Sequence, residues 1–409
     1  MPDQTQNKSK NNIGDRIVPG LVTGASDDDP SGIATYSISG IQFGLSQLWL
    51  LLLATPMLIA VQSMAARIAI VTRRGLSANF ASVFSRKIAL SAVGLLVVAN
   101  VLTIGADIAA MSEAVSILVP GTKLIHWVVP VSFIMWYVLV FFNYKQIRRY
   151  FLWLVFFFFA FVISAVKASP DWSQVLRSFV VPIISMDKSY LLAAIAVLGT
   201  TIAPYLFYWE ARETIEERTP LRLARFQNWL QAPGFIMSNF VAAMIVISTA
   251  TLLFNGGGND LSAVDVARAL EPVAGEYSKI LFALGIIGSG FLAVPILAAS
   301  SALGLSGVLG WREGLSVKPA RAKGFYEVIS LSILVGVQIA ISGFNPLKAL
   351  FFSQVITGIV TPPILILILL LANNRKIMGG YTYGWFDNIF GGLAALIMTA
   401  AAIGLLFVF

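Results

Sequence analysis

Apolar residues run along the chain in eleven long stretches, parted by short polar or basic connectors. They are Val18–Phe43, Gln47–Val71, Ile88–Val119, Leu124–Phe142, Tyr150–Val166, Tyr190–Trp209, Phe235–Phe254, Ile280–Leu309, Tyr326–Ile341, Leu350–Leu371 and Ile389–Phe409. A tilted helix crosses a bilayer with roughly 17–25 residues, so each stretch predicts one membrane span. The pattern therefore predicts an all-α polytopic membrane protein. Two of the stretches are broken. In the first, Asp27, Asp28, Asp29, Pro30, Ser31 and Gly32 interrupt an otherwise apolar run. An aspartate at the bilayer centre costs about 2.5–3.5 kcal/mol on insertion scales, which marks such residues as functional. Proline removes an amide donor and disfavours helical geometry at Asp29, and Gly32 adds backbone freedom. In the sixth stretch Gly199, Thr200, Thr201 and Pro204 make an interruption of the same kind.

The two breaks lie five spans apart, and an odd number of spans inverts the second unit in the membrane. Paired interruptions at corresponding positions of two halves point to a transport site at an inverted-repeat interface. This divides the chain into a tail (1–16), a first repeat of five spans (17–168), a linker (169–189), a second repeat (190–372), and a loop with span eleven (373–409). At an unwound junction, carbonyls without helical partners can face a cation, here that of Thr200. Asp29 would supply the charge, while at least one of Asp27 and Asp28 caps the following half-helix or faces a wet vestibule. Carboxylate and carbonyl oxygens suit hard ions such as Mg²⁺, Ca²⁺ or Mn²⁺.

Composition agrees with the pattern. Of the 409 residues 57% are hydrophobic and 12% charged, with a mean hydropathy of +0.82, where a soluble domain carries roughly 25% charged residues. The polar residues 1–15 lack the apolar core of a cleavable signal and read as a cytosolic tail. The chain has no cysteine and one histidine, His126, which beside Trp127 reads as an interfacial belt residue. Thiol and His-rich zinc chemistry are thereby excluded, no nucleophile or metal constellation of a membrane enzyme is visible, and no cofactor is expected.

The net charge of +8 reflects topology rather than nucleic acid. With the amino terminus in the cytosol, 21 Lys and Arg fall on cytoplasmic segments and 7 outside. The expected location is a cell membrane, the bacterial inner membrane, with the carboxy terminus extracytoplasmic. The lipid bilayer and a divalent ion are the expected partners, with no obligatory protein partner. Ser169–Lys188 reads as an irregular cap. Asn255–Lys279 reads as a solvated loop with a short helix, the other reading being a negative funnel for cations. The charge run Arg212–Arg225 reads as a solvated helix end and loop.

These residues resemble the Nramp family of divalent-metal transporters over most of the chain. The family's Asp-Pro-Gly-Asn motif stands here as Asp29, Pro30, Ser31, Gly32, and its Met-Pro-His motif as Ala203, Pro204, Tyr205. The run from Ala65 to Thr72, the run from Gly105 to Ala109, and Ser353, Gln354 and Val355 are similar to family segments. The resemblance implies a LeuT-like inverted repeat of spans 1–5 and 6–10. It also implies metal binding by Asp29, the Thr200 carbonyl and Gln354, with Asp28, Ser31, Gly32, Ala203, Pro204 and Tyr205 lining the site. The departures bear on selectivity. Gly32 replaces an asparagine ligand and Ala203 a methionine, so a soft sulfur is missing and water has room. This is similar to the Nramp-related magnesium transporters and implies Mg²⁺ as the main ion with Mn²⁺ beside it. The family's titratable groups are depleted at Tyr205, Glu210 and Ala110, and span nine has no arginine, which implies transport without proton coupling. Asp107, Glu113 and Glu210 remain as gating or relay residues, although the spacing of Glu113 from Asp107 points it elsewhere. The alternatives are a proton-coupled manganese carrier and, further off, a sodium-coupled small-solute symporter, whose anionic substrate three acids would repel.

Overall fold

The structure is a computed structural model that describes residues 24, 29–142, 157, 159–254 and 261–408. We number the spanning helices α1 (Pro30–Phe43), α2 (Leu48–Thr72), α3 (Arg86–Leu118), α4 (Leu124–Phe141) and α5 (159–167). Then follow α6 (Lys188–Thr201), α7 (Pro204–Glu216), α8 (Gln227–Leu253), α9 (Ser278–Leu309), α10 (Lys323–Ala340), α11 (Pro346–Ala372) and α12 (Trp385–Val408). Among the described residues nine helical stretches are long and apolar enough to cross a membrane, α6 and α7 counting together. The other two expected spans are described only in part, as α1 with Gly24 and as α5. Asp27, Asp28 and the early part of span five lie outside the described residues.

Two groups of helices organise the packing. In one, α8 packs on α1 and α2, and α2 on α7; in the other, α3 packs densely against α9, α10 and α4. Helix α11 lies across both, touching α1, α3 and α6, and α12 leans on α2 and α11. Without a hydrophobic drive between helices in lipid, close approach depends on small residues. Gly199 shows this directly: a Cβ there would strike the Gln354 carbonyl and approach the Gly358 backbone, at 2.6 Å from its nitrogen. That contact holds α6 against α11 at the height of the break.

Both breaks are present. Gly24 is helical, Asp29 is extended (φ −71°, ψ 172°), and α1 begins at Pro30, where a proline's missing amide costs nothing. Helix α6 ends at Thr201 and α7 begins at Pro204, with Ile202 and Ala203 outside helical geometry.

Three expectations for the connectors are corrected. Residues 169–188 are not wholly irregular, because Asp171 accepts from the Ser173 and Gln174 amides and starts a helix at Trp172–Val180. After residues 255–260, which are not described, the loop is packed rather than solvated: Val266, Ala267, Ala269 and Leu270 are buried. The Ala269 carbonyl accepts from the Ser164 and Ser248 hydroxyls. Ser262 and Asp265 form a capping box there, and the Ser262 hydroxyl, with Arg268 nearby, holds the Asp265 carboxyl below its usual range. Finally, Arg212 is not solvated. It pairs with Glu216 (2.9 Å) and Glu313 (3.2 Å) and donates to the Glu313 carbonyl (2.8 Å), which carries α7 beyond the expected end of its span. Burial pushes the Glu313 carboxyl up, and Arg212 pulls it back.

Candidate ion site at the paired breaks

Asp29 is 1% exposed and sits at the N-terminus of α1 as its cap. The Gly32 amide donates to its Oδ1 (2.5 Å) and the Ser31 hydroxyl to its Oδ2 (2.6 Å). An orphan helix amide, a side-chain hydroxyl and the positive end of the helix dipole thus favour a charged carboxylate at a depth where it would otherwise be costly. Gly32 spends its amide on this cap and offers no side-chain ligand.

Gln354, on α11, donates from Nε2 to the Ser31 hydroxyl (2.5 Å). A chain therefore runs from Gln354 through Ser31 to Asp29 and orients the carboxylate from a second helix. The Gln354 Oε1 is buried and has no hydrogen-bond partner among the described residues. It is a free acceptor beside the cap.

From the other break comes Thr200, buried in the last turn of α6. Its carbonyl would ordinarily accept from the amide four residues on, and that residue is Pro204, which has none. The sequence carries this signal openly: proline four residues after Thr200 leaves one specific carbonyl without its helical donor. The α6 terminus also presents the negative end of its dipole to the gap. Ala203 caps α7 with no side-chain hydrogen bond, Pro204 opens that helix, and the Tyr205 carbonyl accepts from Ser300 on α9 (2.8 Å). A contact the sequence did not suggest joins the two breaks, since Tyr36 OH and Thr201 Oγ1 lie 3.1 Å apart across α1 and α6. Nothing in the spacing of a tyrosine and a threonine 165 residues apart could have revealed it.

The gating candidates separate. Asp107, fully buried on α3, lies close enough to Asp29 and the Ser31 amide to interact with both. Neither of its oxygens has a hydrogen bond of proper geometry to a described residue. Two carboxylates therefore face one small region, and α10, where span nine falls, contains no arginine. Glu210 lies elsewhere: it accepts from Gln231 Nε2 on α8 (2.6 Å). Glu113 borders a cleft with Ala34 and Ala110 that Asp107 does not line, and its spacing from Asp107 is not helical i,i+3 or i,i+4. Asp28 lies outside the described residues.

The arrangement offers a carboxylate, an amide oxygen and a carbonyl freed by proline, beside a second carboxylate. It can neutralise and partly hydrate a hard divalent cation.

Comparison with known proteins bears on both fold and family. The manganese transporter of Eremococcus coleocola superposes with a TM-score of 0.77 at 19% identity, covering 98% of this chain and 88% of that one. The nucleobase-cation symporter Mhp1 superposes with a TM-score of 0.57 at 15% identity, over 96% and 93% of the two chains. These likenesses establish the LeuT-like fold. In sequence, the "Divalent metal cation transporter MntH" of Pectobacterium carotovorum is 22% identical over 390 residues, 93% of this chain and 91% of its own. MntH of Bacillus subtilis is 23% identical over 396 residues, 93% and 89% of the two chains. The profile described as "Natural resistance-associated macrophage protein-like" matches residues 20–408. With that profile running through both breaks and nearly every span, the chain belongs to the Nramp family.

Proposed function

We propose that this protein carries divalent metal cations across a membrane by alternating access, the ion resting between the two helix breaks. One observation carries the reading: the buried Asp29 carboxylate, oriented through Ser31 by Gln354, lies in a gap where proline frees the Thr200 carbonyl. Asp29, Thr200 and Gln354 hold the ion. Ser31 and Gly32 fix the carboxylate, and Ala203, Pro204 and Tyr205 close the other side. The basic loops face the cytoplasm, following the asymmetry of Lys and Arg.

The relatives are named as manganese or divalent metal cation transporters, which favours Mn²⁺ as the substrate over the Mg²⁺ that the departures imply. An oxygen-only ligand set accommodates Mn²⁺ without sulfur. Asp107 beside Asp29 supports a proton-linked cycle, since a second unpaired acid is available within the site. A second reading, potential-driven Mg²⁺ uptake, is favoured by Gly32 and Ala203, which contribute no side-chain ligand and leave room for retained water. A membrane potential alone draws a divalent ion with about 4.6 kcal/mol per 100 mV.

The test is uptake of Mn²⁺ and Mg²⁺ into proteoliposomes at clamped potential, with an internal pH dye. Mn²⁺ uptake with internal acidification is the expected result. Equal Mg²⁺ uptake without acidification would establish the second reading, and absence of divalent uptake would overturn both.

A further inference from the structure

Away from the basic loops, a narrow cleft descends between α1, α3, α9 and α11 towards the breaks. Its walls include Ala34, Ala110, Ala114, Phe282 and Leu350, and it has room for about one water molecule. Ala34 lies one turn beyond Ser31 on α1 and Ala110 one turn beyond Asp107 on α3, so the floor of the cleft adjoins the ion site. Among the residues that line it, Glu113 is the single charged one. It is half-buried, and its carboxylate has no hydrogen bond or ion pair to any described residue. The apolar walls do not stabilise such a charge, and no cation among the described residues offsets it. An uncompensated carboxylate at membrane depth is functional by default.

We infer that Glu113 is the first stopping point for a divalent cation on its way from outside, a recruiting carboxylate above the transport site. Six residues of helix place it about 9 Å from Asp107 along the axis of α3. That is one short step for an ion moving between carboxylates, past the small side chain of Ala110. Low-dielectric walls focus the field of the lone charge into the cleft and raise the local ion concentration. Glu113 thereby sets the apparent affinity for external metal, while the turnover belongs to the site below. This inference rests on the transport reading above.

The test uses the isosteric Glu113→Gln in intact cells, with initial rates of Mn²⁺ uptake at varied external metal. A KM about tenfold higher with an unchanged maximal rate is expected, the low end of what focused fields contribute. A residue that merely shaped the helix would move the maximal rate instead. The chain has no cysteine, so Glu113→Cys places a single thiol in the cleft. An impermeant sulfonate-bearing thiol reagent added outside should return KM towards that of the parent, and a quaternary-ammonium reagent should raise it further. An unchanged KM in Glu113→Gln, or a thiol that reacts only from the cytoplasmic side, would overturn the inference. Absence of uptake by the parent protein would instead refute the transport reading itself.

Discussion

At the scale of single residues, Asp29 has two roles that a simple alanine replacement would confuse. It caps α1, and in the proposed site it also supplies the charge for an ion. Losing a cap alone costs about 0.5–2 kcal/mol. Asparagine caps as well as aspartate, so Asp29→Asn keeps the helix start and removes the charge. We expect that variant to reach the membrane with the parent's thermal stability and to show no measurable divalent uptake. Full uptake by Asp29→Asn would remove Asp29 from the ion site. Besides offering its free Oε1 in the proposed site, Gln354 orients the carboxylate through Ser31, as an outer partner does. Such partners contribute roughly 10–100-fold to metal affinity. Gln354→Ala should therefore weaken metal binding by a factor in that range, read by calorimetry, and a variant binding as tightly as the parent would show that the relay is idle.

Between elements, the decisive contact is that of α6 with α11. Gly199 has no Cβ because the Gln354 carbonyl and the Gly358 backbone occupy its place. Gly199→Ala must push the two helices apart, and overpacking of this kind costs about 1–3 kcal/mol. The same displacement carries Gln354 away from Ser31, so melting temperature and metal affinity should fall together. If the melting temperature falls while affinity is kept, the α6–α11 contact supports the fold but does not position the site. Helix α1 packs on α8, α11 and α6, and the Tyr36–Thr201 contact adds a polar tie to α6.

Across the whole molecule, one buried ionic cluster ties the basic face together. Arg67 on α2 lies 3.7 Å from Asp387 on α12, stacks over the Tyr383 ring at 3.9 Å, and donates to the Ala224 carbonyl. Asn228 on α8 donates to the same aspartate (2.7 Å), so three spans meet at one point. Breaking a buried pair from one side costs about 3–5 kcal/mol, because the partner is left uncompensated, whereas removing both charges is far milder. Arg67→Met should destabilise strongly, and adding Asp387→Asn should restore much of the loss, with thermal denaturation in detergent as the readout. Additive losses in the double variant would mean that the two residues act separately.

The spans, the two breaks and the bias of positive charge were all legible in the sequence, because each follows from local rules. Apolar length reports membrane depth, proline and glycine report a broken ladder, and Lys and Arg report the side on which a loop stays. Pro204 even singles out the carbonyl of Thr200, since a missing amide is a property of the residue itself. What tertiary structure alone decided is who faces whom. Gln354 reaches Asp29 through Ser31, Asp107 stands beside the same carboxylate, and Glu210 turns away to Gln231. Arg212 reads as a solvated charge until a loop a hundred residues later brings Glu313 against it. These pairings depend on the rotation and height of whole helices, which are set by small residues such as Gly199 packing against distant backbone. No periodicity within one span encodes the face its neighbour will present. Local chemistry therefore pointed to the gap between two broken helices, and packing decided which side chains stand around it.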